Sequence, residues 1–361
     1  MSHVVFLLHG MGAQTDGWHK EFVDSISAAY DQYDFMSRKS LADRGIEFQP
    51  VNYDNIFREI VSTWADNAEI VSKVAGDTGA PIGKLTDWLK GAGELNDNFK
   101  WSHAADVLLY RGFSLVRARV CVHVARQITG RIKKQIDDEG SSNWSLIAHS
   151  LGTAVAHDTL ARLWKKDSTL PGDVAFSADN EQANLIMMVA NVSRVLEVKT
   201  AAEPYDVFLS PVKPGRPGQE GRGCQYYFTP RHKLDPFTVP SMFNPQMWPD
   251  EAALQAQPPR YLYREIDHIH KWNVHEFSHY MANPRAHIPM FQRLFGTQVI
   301  EPQEEQLALA KFRQFGKLED DVAIRIRQKL EDAQESQSET WTILGRIWRN
   351  FIGKGSGGRI P

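Results

Sequence analysis

A chain of 361 residues with 42% hydrophobic and 24% charged side chains can bury a large core, which excludes disorder as the main state and predicts one large domain or two smaller ones. Its 41 basic and 44 acidic side chains leave a formal net charge of −3, which argues against a general nucleic-acid surface. The two cysteines, Cys121 and Cys224, form no Cys-x-x-Cys pair, so neither a cysteine-based zinc site nor a disulfide framework is predicted.

The first predicted element is a buried strand at residues 4–8. A continuous β-rich apolar run ends there in the corner His9-Gly10-Met11-Gly12, as is typical of a strand covered on both faces. The run is too short for a signal peptide and lacks the positive flank and cleavage site. No stretch approaches the roughly 20 apolar residues of a membrane span. We therefore expect a cytoplasmic protein without a membrane span.

The next segments are a helix at about 22–33, a strand at 46–53 that Pro50 weakens, and a long stretch without strand character at 56–137. In the second half of that stretch, apolar residues recur at every fourth position from Val116 to Ile136, which predicts a long helix. The pattern indicates a helical insertion at about 56–137, a candidate cap or lid.

Four more strands are predicted at 144–148, 185–192, 225–229 and 261–266, with helical segments between several of them. This alternation favours an α/β fold with a mainly parallel sheet flanked by helices. Residues 204–259 are loop-rich and dense in proline and glycine, a length that is uncommon unless the loops cover a site. We predict one domain at 1–300, containing both insertions, and a helical C-terminal extension at 301–361.

The end of that extension is amphipathic. Its apolar face is formed by Trp341, Leu344, Ile347, Trp348 and Phe351. Such a helix can dock on its own domain, pair with another subunit or lie on a membrane. We favour docking or oligomerisation over peripheral membrane contact, because few basic residues accompany these aromatic side chains.

The segment WSLIAHSLGTAVA (144–156) joins a buried strand, a corner of small residues and the start of a helix. A nucleophile elbow needs these parts with a serine at the corner, and Ser150 takes that position between Ala148 and Gly152. The segment resembles the elbow of the α/β-hydrolases, the superfamily of lipases, esterases and thioesterases. It departs from the family pattern Gly-x-Ser-x-Gly because Ala148 replaces the first glycine. The resemblance implies an α/β-hydrolase fold with Ser150 as nucleophile.

The loop after the first strand strengthens this resemblance. Acyl transfer needs backbone donors for the developing oxyanion, and the family takes one from the loop after an early strand. His9-Gly10-Met11-Gly12 resembles the family's His-Gly-x-Gly loop. The resemblance implies that the amides of Met11 and Leu151 form the oxyanion hole. A dinucleotide-binding fingerprint is not met, because Thr15 stands where its third glycine is required.

The triad order expected for this fold is serine, acid, histidine. Acid candidates at predicted strand ends are Glu197, Asp206, Asp235 and Asp267. Asp235 is preferred, because it follows the strand at 225–229 and its Asp-Pro pair resembles the acid loop of related hydrolases.

Candidates for the base are His268, His270, His275, His279 and His287. His279 is preferred, because SHYMANP around it resembles the passage that carries the histidine in related hydrolases. His275 is the second choice, since a shift of four residues would leave either histidine on the same side of a helix.

The resemblance implies a serine hydrolase that cleaves a small-molecule or lipid carboxylic ester through an acyl-enzyme on Ser150, without a cofactor. Two alternatives stay open. His275-Glu276-Phe277-Ser278-His279 matches the zincin pattern His-Glu-x-x-His, which would make a zinc hydrolase. A non-catalytic interaction protein with a hydrolase-like fold is the other.

Overall fold

The computed structural model describes residues 2–10, 17–59, 110, 114–168, 170–171, 181–196, 205–219, 222–233, 235, 237–238, 243, 260–266, 268–269 and 273–315. Its strands are β1 (His3–Leu8), β2 (Ile46–Val51), β3 (Trp144–His149), β4 (Ala183–Val189), β5 (Cys224–His232) and β6 (Tyr261–Ile266). Its α-helices are α1 (His19–Tyr30), α2 (Asp34–Ser37), α3 (Ser114–Glu139), α4 (Leu151–Lys165), α5 (Tyr205–Phe208), α6 (Phe277–Ala282), α7 (Pro284–Phe295) and α8 (Pro302–Phe315). Short 3₁₀ turns occupy Ser193–Leu196 and Ser210–Val212.

The six strands form one sheet in the order β2-β1-β3-β4-β5-β6, and all the pairings are parallel. The chain runs outward from β1 to β2 and then crosses to β3 on the other side of β1. In open α/β sheets, ligands bind beyond the carboxyl ends of the strands where the strand order reverses in this way. A ligand site is therefore expected beyond the carboxyl ends of β1 and β3.

Helices cover both faces of the sheet. On one face, α3 and α4 pack against Phe6, Leu146 and Ile186 and their neighbours. On the other, α1, α6 and α7 pack against residues including Leu7 and Ile147. Successive side chains of a strand point to opposite faces, so a strand covered on both sides must be apolar at almost every position. This explains the continuous apolar run of β1.

The α/β class predicted from the sequence is confirmed, since all the predicted strands are present and paired in parallel. The predicted weakness of the second strand matches its position, because Pro50 lies in β2 at the edge of the sheet. Edge strands are the part of a sheet that tolerates proline, which has no amide hydrogen to donate. No helix in the described part of the chain is long and apolar enough to span a bilayer.

The predicted insertions and the extension are described only in part. Of the helical insertion at 56–137, residues 60–109 lie outside the described residues, whereas α3 packs beside α4 and β2 as a layer of the fold. The loop-rich stretch at 204–259 contains α5 and β5. Of the extension at 301–361, α8 packs on α7, and the amphipathic segment lies outside the described residues.

A buried ion pair joins α3 to α4. The guanidinium of Arg117 binds both oxygens of Asp158, and Tyr110 Oη donates to the same carboxylate at 2.9 Å. The side chains of Arg117 and Asp158 are 17% and 0% exposed. Removing one partner of such a pair leaves a buried charge without compensation.

We expect Asp158→Ala to lower the free energy of unfolding by about 3–5 kcal/mol. Asp137→Ala is the matched control, because it breaks the ion pair between Lys133 and Asp137. Their side chains are 75% and 59% exposed, respectively, and exposed pairs contribute at most about 1 kcal/mol. Both values come from denaturant titrations. Equal losses in the two variants would contradict this account of the α3–α4 contact.

Candidate active site

Ser150 lies at a sharp corner between β3 and α4, at the carboxyl end of a central strand. Its backbone has φ 55° and ψ −128°, a conformation that costs a residue with a side chain on the order of 1–3 kcal/mol. Neighbouring groups hold this corner. The amide of Ser150 donates to the Val189 carbonyl at 3.1 Å, and the Thr153 hydroxyl donates to the Ser150 carbonyl at 2.6 Å. The strained conformation is therefore built into the fold.

Two glycines let this corner approach the end of β1. A Cβ at Gly152 would lie 2.3 Å from the His9 carbonyl oxygen, and a Cβ at Gly10 would lie 2.9 Å from Ser150 Cβ. Both distances are shorter than any real Cβ contact, and in the first the opposing atom is backbone that cannot rotate away. The small residues at these positions are therefore a condition for bringing the β1 loop against the serine.

Ser150 belongs to a chain of hydrogen bonds with His275 and Asp235. The Ser150 hydroxyl donates to His275 Nε2 at 2.8 Å. His275 Nδ1 lies 2.8 and 3.0 Å from the two Asp235 oxygens. The acceptor at Nδ1 is a carboxylate, so the ring carries its proton there and presents the Nε2 lone pair to the serine. This is the geometry of a nucleophile, a base and an acid that orients the base.

The Asp235 carboxylate is buried and held by three donors. Its oxygens accept from His275, from Tyr280 Oη at 2.9 Å and from the Phe237 amide at 3.0 Å. Burial alone raises the pKa of Asp235, but attraction to the protonated form of His275 and these hydrogen bonds outweigh burial, so that this pKa lies below its ordinary value. Asp235 is therefore an anion at neutral pH, although it is 0% exposed.

The sequence favoured His279 as the base, but the histidine that contacts Ser150 is His275. The preference for His279 is therefore corrected to His275. His279 lies inside α6, is 0% exposed and has its ring 5.1 Å from that of His232. The structure does not bring it to Ser150. The helix begins at Phe277 after the extended residue Glu276, so His275 precedes the helix and the two histidines do not share a helix face.

The same geometry argues against the zincin pattern. That pattern needs both histidines one turn apart on a single helix, whereas here Nδ1 and Nε2 of His275 face Asp235 and Ser150. Among the residues that the structure describes, no group of three or more histidine, cysteine or acidic side chains has the arrangement of a metal site.

A second histidine, His149, holds the backbone at His275. His149 Nε2 donates to the His275 carbonyl at 2.6 Å, and the two rings lie 5.0 Å apart. Burial lowers the pKa of His149 to about 3, so the ring is neutral at physiological pH. It therefore fixes the loop of His275 without adding a positive charge beside it.

The predicted oxyanion donors are described only in part. Leu151 opens α4 directly after Ser150, and the first amides of a helix have no partner within the helix. Met11 lies outside the described residues. The preceding loop is anchored, because the His9 carbonyl accepts from Tyr53 Oη and His9 Nδ1 donates to the Gly10 carbonyl at 2.7 Å.

The remaining candidates lie elsewhere or are not described. His287 binds Tyr33 Oη at 2.7 Å, away from the serine, and the His268 carbonyl faces His232 Nε2 at 3.2 Å. The side chains of Glu197, Asp206, Asp267 and His270 lie outside the described residues. The sequence carries no local pattern that marks His149 or Tyr280, because their partners are distant in the chain.

Comparison with known proteins gives no independent assignment. No protein-family model matches the chain, and no curated protein sequence matches it. Only the contacts around Ser150 and the sequence motifs that predicted them indicate a function.

The strain at Ser150 can be tested with two variants that both lack the hydroxyl. Glycine adopts a positive φ without steric cost but loses about 0.5–1 kcal/mol of backbone entropy, whereas alanine keeps a strain of about 1–3 kcal/mol. We expect Ser150→Gly to be more stable than Ser150→Ala by about 1 kcal/mol in denaturant titrations. An alanine variant more stable than the glycine variant by about 0.5–1 kcal/mol, the entropy difference alone, would show that this corner is not strained.

Proposed function

We propose that this protein is a serine hydrolase that cleaves carboxylic esters through an acyl-enzyme on Ser150. The observation that carries the proposal is the continuous hydrogen-bond chain from the Ser150 hydroxyl through His275 to the buried Asp235 carboxylate. His275 replaces His279 in the triad that the sequence predicted. Three side chains from distant parts of the chain meet here in the arrangement that activates a serine.

The position of these residues supports an α/β-hydrolase fold as part of the proposal. Ser150 follows β3, next to β1, where the strand order reverses. Asp235 follows β5, and His275 follows β6. The chain order serine, acid, histidine is the one found in α/β-hydrolases and differs from that of the other major serine hydrolase folds.

In the acylation step, Ser150 Oγ attacks the ester carbonyl carbon while its proton passes to His275 Nε2. The carbonyl oxygen becomes an oxyanion, which the amides of Leu151 and Met11 are proposed to bind. The intermediate collapses, the carbon–oxygen bond to the leaving group breaks, and His275 gives its proton to the departing alkoxide. An acyl ester on Ser150 remains. Asp235 stabilises the imidazolium that forms in this step.

Deacylation repeats the sequence with water. His275 Nε2 takes a proton from water as its oxygen attacks the acyl carbon, and a second tetrahedral oxyanion forms. This intermediate expels Ser150 Oγ, which recovers the proton from His275, and the carboxylic acid leaves. All protons are returned, so the cycle needs no cofactor.

The nucleophile assignment is tested with a fluorophosphonate probe, which reacts covalently with an activated serine. We expect wild-type protein to be labelled and Ser150→Ala to remain unlabelled. His275→Ala should lower labelling and esterase activity by about 10⁴-fold or more, because the serine loses its base.

His279→Asn is the matched control for the base. It removes an imidazole from the same segment but none that contacts Ser150, so a correctly folded His279→Asn protein should still react with the probe. Loss of labelling in folded His279→Asn with full labelling in His275→Ala would reverse the assignment. An unlabelled wild-type protein would refute the hydrolase proposal.

An exposed aromatic side chain next to the base suggests an ester with an apolar group. The ring of Phe237 lies 4.5 Å from the His275 ring, and Phe237 is 41% exposed, although large apolar side chains are usually buried. We propose that the apolar part of a substrate bound at Ser150 contacts this ring, since apolar contact contributes about 0.8 kcal/mol per buried methylene.

We expect Phe237→Ala to raise KM for esters of longer alkyl chains by about tenfold, with a much smaller change for acetate esters. The measurement is KM and kcat across a series of chain lengths. Leu307→Ala is the control, because Leu307 is also exposed, at 55%, but lies in α8. A uniform loss across chain lengths would mean that Phe237 only supports His275.

A further inference from the structure

The buried hydroxyl of Tyr280 makes two hydrogen bonds that the triad mechanism does not use. Tyr280 lies in α6, is 0% exposed, and its hydroxyl donates to Asp235 Oδ2 at 2.9 Å. The same hydroxyl oxygen accepts from the His232 amide at 3.0 Å. His232 is the last residue of β5, and the loop that carries Asp235 begins directly after it.

The two hydrogen bonds fix the direction of the hydroxyl proton. A tyrosine hydroxyl has one proton and accepts through its oxygen lone pairs. Because the His232 amide can only donate, the phenol oxygen must be its acceptor, and the proton is left to point at Asp235. The end of β5 thus sets the orientation of the hydroxyl, and the hydroxyl in turn holds one carboxylate oxygen.

We propose that Tyr280 is a positioning residue of this site, which holds the Asp235 carboxylate in the orientation that aligns His275 and limits how much negative charge His275 experiences. The expected effect of Tyr280 on the reaction rate rests on the proposed function. The expected effect of Tyr280 on the protonation of His275 rests only on the hydrogen bonds described above.

The sign of the effect follows from the charges. A donor on Asp235 Oδ2 stabilises the carboxylate and draws part of its charge away from His275. Without that donor, the carboxylate attracts the imidazolium more strongly, so the protonated form of His275 becomes more stable relative to the neutral form. The base would then be protonated, and inactive, up to a higher pH.

The other titratable groups around Asp235 and His275 do not reverse the direction of this effect on His275. Burial lowers the pKa of His149 to about 3 and that of His9 to about 4, so both are neutral across the pH range of an assay. Arg231 is ion-paired with Glu265 at 3.1 Å. The ring of His279 lies 6.3 Å from that of Tyr280 and belongs to the same helix. Burial and the Asp235 charge raise the pKa of Tyr280 well above its usual range, so the phenol remains a donor.

The test is Tyr280→Phe, which removes only the hydroxyl. We expect the acidic limb of the pH profile of kcat/KM to move to higher pH by about half a unit or more, and kcat to fall with little change in KM. His275 should show the same upward shift when its ring is titrated by NMR in protein without substrate. This second readout does not require activity.

Tyr33→Phe is the matched control. Tyr33 is also buried, and its hydroxyl lies 2.7 Å from His287 Nε2 outside the triad, so the variant loses an equivalent buried hydrogen bond. Its His275 titration should equal that of the wild type. A second control uses Asp235→Asn and completes a double-mutant cycle. In an Asp235→Asn background, adding Tyr280→Phe should no longer shift the NMR titration of His275.

Three results would overturn the inference. These are an unchanged His275 titration in Tyr280→Phe, an equal shift in Tyr33→Phe, or a shift that persists in the Asp235→Asn background. Failure of the proposed function has a different signature, because wild-type protein would then resist the fluorophosphonate while the His275 shift in Tyr280→Phe remained.

Discussion

The site depends on one close approach of backbone to backbone, where the corner at Ser150 meets the end of β1. Parallel pairing of β1 with β3 brings the loops after both strands to the same edge, and Gly152 lets the corner lie against the His9 carbonyl. A side chain there would push the loops apart. The strained backbone of Ser150 persists because these contacts and the hydrogen bonds to Val189 and Thr153 over-determine its position.

The electrostatics of the site follow from burial. Asp235 is an isolated carboxylate in a buried position, which would be costly without compensating hydrogen bonds. His275, Tyr280 and the Phe237 amide supply them. Burial acts in the opposite direction on the neighbouring histidines, because it keeps His149 and His9 neutral. His275 is thus the histidine whose ring contacts both a charged partner and the serine hydroxyl.

The elements that hold the site also form the core. Phe277 and Tyr280 of α6 pack in the cluster that covers one face of the sheet, so the segment between His275 and Tyr280 is fixed by core packing. The Phe277 ring stacks on Phe22 of α1 with centroids 3.9 Å apart. This packing fixes the start of α6 and therefore the position of His275, two residues before it.

The sequence by itself determined the α/β class, the approximate positions of the six described strands, the serine at the corner and Asp235, the aspartate that contacts His275 beside that serine. These features have local signals, namely continuous apolar runs, small residues around a serine, and an Asp-Pro turn after a strand. Only the tertiary structure decided between His275 and His279, and it revealed His149 and Tyr280. The choice of histidine depended on where α6 begins, and that start is fixed by packing of Phe277 on a distant helix. Contacts between residues far apart in the chain leave no periodic pattern, so sequence reasoning could propose both histidines but not distinguish them.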